Sequence, residues 1–449
     1  MSELRAGFAR VNVTPMLGIT MDGYFKTRYA EGTLDELELS ALALSCGDTT
    51  ALLISLDIIR IPRKIALEYK AHISEVTGVP TDCIYLHATH IHTGPTFTAY
   101  TDNLLVQEYM RILYHKMAEV SKAAMEDMKP AKMGWAVGEA PNVAFIRRYR
   151  MKDGSVKTNP GICNPDILSP IGEVDKRVNI LRFDRENAQS LVLVNFGNHP
   201  DVVGGCKFSA DWPGFMRRTV ELALPECQCI FFNGCQGDVN HFNVWPKDTD
   251  RPLNTEPGAR YDFARYIGRA MAGTVLQEYD KVKYISVDSV RCMQRTLLIP
   301  SNMGTPEEIE NAREVYEMYQ KGQEKELRQM FGRMYETVIG SACRMIALEH
   351  GPEFFEMDMS AVAIGRVALI GIPGEGFTGM GIGLKEAEGW ELILPTCLTN
   401  GAHGYFPMMD DYEEGGYEAS AARFKAGAAE KMIEEGKDML KALEPRQEL

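Results

Sequence analysis

Cys83-Ile84-Tyr85-Leu86-His87-Ala88-Thr89-His90-Ile91-His92-Thr93-Gly94-Pro95 is an apolar run that stops at a polar loop carrying two histidines and closed by Gly-Pro. Residues 83–88 have the length and composition of a short strand, and Gly94-Pro95 marks its end. Upstream, the apolar runs 39–46 and 51–59 are split by Gly47-Asp48, the pattern of a β-hairpin. Between hairpin and strand, residues 62–77 set Ile65, Leu67, Ile73 and Val76 among Lys, Glu and His, which predicts an amphipathic helix. A second helix is expected from about 104 to 128. Strands alternating with helices predict an α/β body of layered form, with mixed β-sheet flanked by helices.

The pattern continues outward. Residues 178–183 and 190–196 read as strands around a polar turn, followed by a helix near 213–224 and a strand at 229–232. Residues 361–364 and 367–372 flank Gly365-Arg366, and a strand at 391–398 and a final helix at 417–443 follow. Thr305-Pro306-Glu307-Glu308 is a capping signal that opens 305–350, a stretch rich in Glu, Arg, Met and Leu. It predicts a helical insertion or lid of two helices, broken near Gly332 or Gly340. Neither an internal repeat nor a linker is visible in the residues, so 1–449 reads as a single domain.

The chain of 449 residues carries 48 Lys plus Arg against 62 Asp plus Glu, a formal charge of −14. Such a field repels DNA and anionic membranes, so a small-molecule substrate is expected and no nucleic-acid partner. No stretch approaches the roughly 18 apolar residues of a membrane span, and residues 1–15 do not resemble a signal peptide. Ten cysteines without a CxxC pair suit a reducing, cytoplasmic setting.

Five predicted strands run directly into loops with metal-competent or ionisable residues: Thr89 to Pro95; Gly197-Asn198-His199-Pro200-Asp201; Asn233-Gly234-Cys235-Gln236-Gly237-Asp238-Val239-Asn240; Pro373-Gly374-Glu375-Gly376; and Thr399-Asn400-Gly401-Ala402-His403-Gly404-Tyr405. Ligands of open α/β sheets bind outside the carboxyl ends of strands, so these loops are expected to share one crevice. His90 and His92, two apart in an extended segment, would face one centre; the alternative is a pair of surface histidines in a turn. His199 reads as a ligand or a hydrogen-bonded core histidine. Glu375 follows an apolar strand, and a buried carboxylate needs a partner unless it reaches solvent. Asp238 has the alternative of an Asx-turn, and Tyr405 that of a packed aromatic. Arg147 and Arg148 lie in a basic run of the kind that usually forms a solvated face.

The order and spacing of these motifs resemble the catalytic region of neutral/alkaline, non-lysosomal ceramidases and their shorter bacterial relatives. The resemblance runs from Ala6-Gly7-Phe8-Ala9-Arg10-Val11-Asn12-Val13-Thr14-Pro15 through Thr89-His90-Ile91-His92-Thr93-Gly94-Pro95 to Gly401-Ala402-His403-Gly404-Tyr405-Phe406-Pro407. It implies a zinc ion held by His90, His199, Glu375 and Tyr405, with His92 and Arg147 lining the reacting centre. In that family the metal activates water for attack on an amide carbonyl. His92 is then expected as general base or oxyanion donor, Arg147 as a clamp on substrate, and Asp238 as the group orienting a ligand histidine. Two departures qualify the likeness. Asn240 stands where the ceramidases have serine. The chain also has no room for their C-terminal immunoglobulin-like domain, which, with no export signal, argues against ceramide as substrate. The expected function is a zinc-dependent hydrolase cleaving the amide of a small N-acylated substrate. The alternatives are a lactone or ester hydrolase acting on a polar, sugar-like metabolite, and a non-catalytic binding relative.

Overall fold

In the computed structural model, residues 3–24, 26–98, 101–244, 261–332 and 335–444 are described. Ile84–Ala88 forms the predicted strand and is buried along its whole length, parallel to Thr49–Leu56. A nine-stranded mixed sheet runs in the order Cys227–Asn233, Ser190–Phe196, Arg177–Arg185, Lys129–Glu139, Arg5–Asn12, Glu38–Cys46, Thr49–Leu56, Ile84–Ala88, with Lys283–Ile285 pairing on Lys129–Glu139. A second sheet orders Val290–Pro300, Phe354–Ile364, Val367–Gly371 and Leu392–Thr396. The layered α/β expectation is met.

One supersecondary unit occurs three times, although the residues show no repeat. Glu38–Cys46 and Thr49–Leu56 form a hairpin, the helix Arg63–Thr77 follows, and Ile84–Ala88 returns parallel to the second hairpin strand. Arg177–Arg185, Ser190–Phe196, the helix Asp211–Ala223 and Cys227–Asn233 repeat this arrangement. So do Phe354–Ile364, Val367–Gly371, the helix Thr378–Lys385 and Leu392–Thr396. Buried on both faces, these strands need only continuous apolar character, which very different sequences satisfy. The common topology therefore leaves no matching residues.

The three units share one interior. Leu42, Leu53, Tyr85, Phe183, Leu193, Phe232, Val362, Leu369 and Leu394 form a single buried cluster drawn from all of them. Each such side chain stabilises the fold by about 1.5–3 kcal/mol on burial. Polar side chains join the strand ends. His87 accepts from the Asn233 backbone N–H at 2.9 Å, and Asn233 Nδ2 donates to the Thr89 carbonyl at 3.3 Å. The Asn195 amide donates to the Phe232 and Pro395 carbonyls, both at 3.0 Å. The carboxyl ends of the strands are thereby brought to one place.

The insertion lies between two strands that pair with each other, Val290–Pro300 and Phe354–Ile364. Its described residues hold three helices rather than two: Pro306–Gln320, opened by the expected Thr305/Glu308 capping box, Glu324–Phe331 and Tyr335–Glu349. The first break falls at Gly322 (φ 72°) and the second after Phe331 at Gly332 (φ 56°), both in the left-handed region that glycine adopts freely. Gly340 stays within the last helix. Leu327 and Ile339 centre a small core of the insertion's own. The expected helix over 417–443 is likewise divided, into Tyr417–Ala421 and Ala428–Leu443, with Gly427 at φ 92° between them.

Candidate functional site

The loops after the parallel strands converge as expected. His90 and His92 leave Ile84–Ala88, His199 leaves Ser190–Phe196, and Glu375 follows Val367–Gly371. His90 and His92 do face one centre, but not through the alternation of an extended strand. His90 has φ 73°, a left-handed conformation that costs roughly 1–3 kcal/mol in a non-glycine residue. It is fixed by two bonds, its backbone N–H to the Ile58 carbonyl at 2.9 Å and its ring Nδ1 to the Ile59 carbonyl at 2.8 Å.

The other two rings are held the same way. His92 Nδ1 meets the Gly23 carbonyl at 3.1 Å, and His199 Nδ1 the carbonyls of Gln236 and Val239, both at 2.8 Å. A carbonyl only accepts, so each Nδ1 carries the proton and each Nε2 presents a lone pair. Burial, with His90 adding, lowers the His92 pKa to about 3, and burial with Arg147 lowers that of His199 to about 4. Both are neutral imidazoles at physiological pH.

Glu375 Oε2 lies 3.2 Å from both His90 Nε2 and His199 Nε2. Tyr405 is brought alongside by a short parallel pairing that sets Glu375 opposite it. Its phenol is pushed well above its ordinary pKa by burial and by Glu375. Arg147 lies with its guanidinium 5.3 Å from the Tyr405 ring centre, donates to the Gly237 carbonyl at 2.6 Å, and pairs with the buried Glu418 at 2.7 Å. Burial works against its charge, yet Glu418, Tyr405 and Glu375 together raise its pKa above the ordinary value. Arg147 and Arg148 are both buried rather than on a solvated face, because carboxylates from the 411–418 region meet them.

Asp238 does not take the role expected of it. Its carboxylate accepts from the Thr378 backbone N–H at 2.8 Å and hydroxyl at 2.9 Å, holding the first turn of the helix Thr378–Lys385. Backbone carbonyls orient the histidines instead. Asn240 is buried and donates to Asn159. His403, in the loop before Tyr405, packs against Phe355 and Phe424. The sequence reading passed over Tyr24, whose hydroxyl donates to Asp201 beside His92; His241, a half-buried imidazole influenced by His199 and His92; and Tyr417, whose ring lies 5.8 Å from that of Tyr405. His241 follows Asn240, which was already singled out, whereas Tyr24 lies in a stretch with no such residue. Tyr417 had no such neighbour to mark it.

The donor set suits a metal ion. One ring nitrogen from each of His90, His92 and His199 lies within 4.8 Å of the others, the one such group of three among the described residues. His90 Nε2 and His92 Nε2 are buried without a hydrogen-bond partner. Zinc bound by imidazole and carboxylate at about 2.0–2.2 Å would set tetrahedral ligand atoms roughly 3.3–3.5 Å apart, close to the two 3.2 Å edges at Glu375.

No protein-family model matches the chain, and no curated protein matches it. Among solved structures, the neutral ceramidase from Pseudomonas aeruginosa matches with a TM-score of 0.74 at 17% identity, over 99% of this chain and 75% of that one. A ceramidase complexed with C2 matches with a TM-score of 0.73, again at 17% identity and over 99% and 75% of the two chains. Nearly the whole length of this chain thus has the neutral ceramidase fold, as the motif resemblance implied.

Proposed function

We propose that the protein is a zinc-dependent hydrolase that cleaves the amide of a small N-acylated substrate, with His90, His199, Glu375 and Tyr405 holding the ion. The observation that carries this reading is the sharing of one Glu375 oxygen by two buried imidazole nitrogens at 3.2 Å, with both rings pinned through Nδ1. A zinc ion there would supply the Lewis acidity that lets water attack a carbonyl at neutral pH. His92 shares the cluster of His90 and His199, and its Nε2, without a hydrogen-bond partner, suits it to take a proton from the attacking water. Arg147, fixed by Glu418 and Gly237, keeps positive charge beside Tyr405 and the developing oxyanion. Asn240 offers an amide where the ceramidases have a hydroxyl.

The helices over 306–349 act as a lid in this reading, which is supported by the packing of Tyr335–Glu349 on Tyr417–Ala421 beside Tyr405. Ten cysteines, none of them in a disulfide among the described residues, support a reducing, cytoplasmic setting; no helix among the described residues is long and apolar enough to cross a membrane. A second reading, a lactone or ester hydrolase acting on a polar metabolite, draws support from Tyr24, Asp201, Asn159 and Asn240, which give the site polar walls.

Metal analysis of purified protein tests the ligand assignment. We expect about one zinc per chain in the parent and less than roughly a tenth of that in His90→Ala and Glu375→Ala, with turnover lost and circular dichroism retained. Stoichiometric zinc in either variant sinks the assignment. A panel of N-acetyl amides, esters and lactones then separates the two substrate readings.

A further inference from the structure

The main-chain carbonyls that orient the three histidines are not equally well held. Gln236 and Val239, which fix His199, and Ile59, which fixes His90, are buried. Gly23, which fixes His92, is half-buried on the turn between Thr20–Met21 and Arg28–Tyr29, two strands of two residues each that pair with one another. A hairpin that short is not stable by itself. Its turn has to be fastened to the rest of the chain if the Gly23 carbonyl is to stay at the His92 ring.

Arg28 supplies the fastening. Its Nη2 donates to the Asp22 carbonyl at 2.5 Å and to the His92 carbonyl at 2.7 Å, and its Nη1 to the Gly205 carbonyl at 2.6 Å. One nitrogen thus joins the residue before Gly23 to the backbone of His92 itself. That sets the carbonyl facing the ring against the chain that carries the ring. The third bond ties both to the loop that leads on from His199. The guanidinium carbon also lies 4.2 Å from the centre of the Tyr24 ring, so the residues on both sides of Gly23 are gripped. Bonds from a charged donor are roughly twice as strong as neutral ones.

The turn lies directly on His92. Gly23 has φ 111°, and a Cβ there would come within 3.1 Å of the His92 Cα, Cβ and Nδ1. Two other contacts hold Asp22, its N–H to the Gly94 carbonyl at 3.3 Å and its carboxylate to Arg60 at 2.6 Å, but neither reaches His92.

We infer that Arg28 is a positioning residue for His92, keeping the Gly23 carbonyl on Nδ1 and thereby the lone pair on Nε2. The inference rests on the proposed hydrolase reading for the use made of that lone pair, but not for the orientation itself. A neutral imidazole without a fixed acceptor at Nδ1 divides its proton between its two nitrogens. Only the form protonated on Nδ1 can take a proton from water at Nε2.

Proton–nitrogen correlation spectra of the purified protein, isotope-labelled at histidine, read the tautomer of each ring without any substrate. His92 is identified by the signal lost in His92→Gln. The parent is expected to hold one tautomer there, protonated on Nδ1. In Arg28→Gln both tautomers are expected at His92, with His90 and His199 unchanged, and Arg28→Lys, which keeps the charge on a narrower donor, should recover part of the difference. An unaltered His92 signal in Arg28→Gln overturns the proposal. So does a change spread over all three rings, which would make Arg28 a general structural support. Where Arg28→Gln does not fold, Arg28→Lys serves: a second tautomer at His92 supports the proposal, and a spectrum like the parent's overturns it. Turnover gives an independent reading. In a parent that cleaves an N-acetyl amide, kcat is expected to fall about 10- to 100-fold in Arg28→Gln at unchanged KM and zinc content; kcat at the parent's value overturns the role in the reaction. A parent without turnover defeats the hydrolase and leaves the positioning of His92 to be decided by the spectra.

Discussion

The histidine side and the carboxylate side of the site are held in place by different means. On the first, the Nδ1 atoms of His90, His92 and His199 are tied to main-chain carbonyls of Ile59, Gly23, and Gln236 with Val239. On the second, Tyr405 and Arg147 depend on ionised side chains, with Glu418 pairing Arg147 from the far end of the chain. A main-chain carbonyl survives every substitution of its own side chain, and its bond has a net worth of about 1 kcal/mol. A buried ion pair fails through either partner, at about 3–5 kcal/mol. Arg28 apart, the first side is therefore robust to single substitutions and vulnerable to protonation. The second is the reverse.

Acid gives the largest contrast. His87 and His199 are buried and His92 and His241 half-buried, and all four are neutral, their pKa values lowered chiefly by loss of hydration from 6.5 to about 3 for His87 and His92 and about 4 for His199 and His241. The unfolded chain takes up these protons near pH 6.5 and the folded chain only near pH 3–4. Between those limits the unfolded state binds more protons, so stability falls as the pH falls, with a slope of up to about 1.4 kcal/mol per pH unit for each histidine. Urea midpoints of chelator-treated protein should decline steadily from pH 7 to pH 4.5. A flat profile would mean that the imidazoles are not neutral and buried.

Glu418→Gln is the matching blow to the other side. It leaves Arg147 buried without its counter-charge, and a loss of about 3–5 kcal/mol is expected in denaturant titration. Turnover should fall with it, because the guanidinium beside Tyr405 loses its anchor. Retention of full stability would show that the Gly237 carbonyl suffices to hold Arg147.

The same division governs what could be read from the residues. Strand ends bearing His90, His199, Glu375 and Tyr405 were legible because an apolar run that stops at a polar, glycine-bearing loop is a local signal, as is the Thr305/Glu308 box. The thrice-used unit was not, since buried parallel strands ask only for apolar character. Nor was Lys129–Glu139, whose glycines obscure the strand pattern: a Cβ on Gly134 would come within 2.8 Å of Val282, and one on Gly138 within 2.5 Å of Thr274. The left-handed backbone of His90 and the Arg147–Glu418 pair depend on partners remote in sequence, which no local pattern announces. Asp238 shows how chemistry that was right in kind took a different partner, a helix end in place of an imidazole.

Asp238 also supplies the smallest and most discriminating test of the two-sided picture, because it sits between the sides. Its backbone carbonyl accepts from the Arg147 backbone N–H at 3.0 Å, while its carboxylate holds Thr378, three residues beyond Glu375. If main-chain carbonyls alone orient the histidines, Asp238→Asn weakens two charge-assisted bonds at the helix start and costs about 1–2 kcal/mol. Zinc should then be retained in full, since the Gln236 and Val239 carbonyls that fix His199 are untouched. A stability loss in thermal melts with unchanged metal content supports that division. Loss of zinc at unchanged stability would instead restore the Asp238 carboxylate to the orienting of a ligand histidine and make the histidine side as dependent on side-chain charge as the side that faces it.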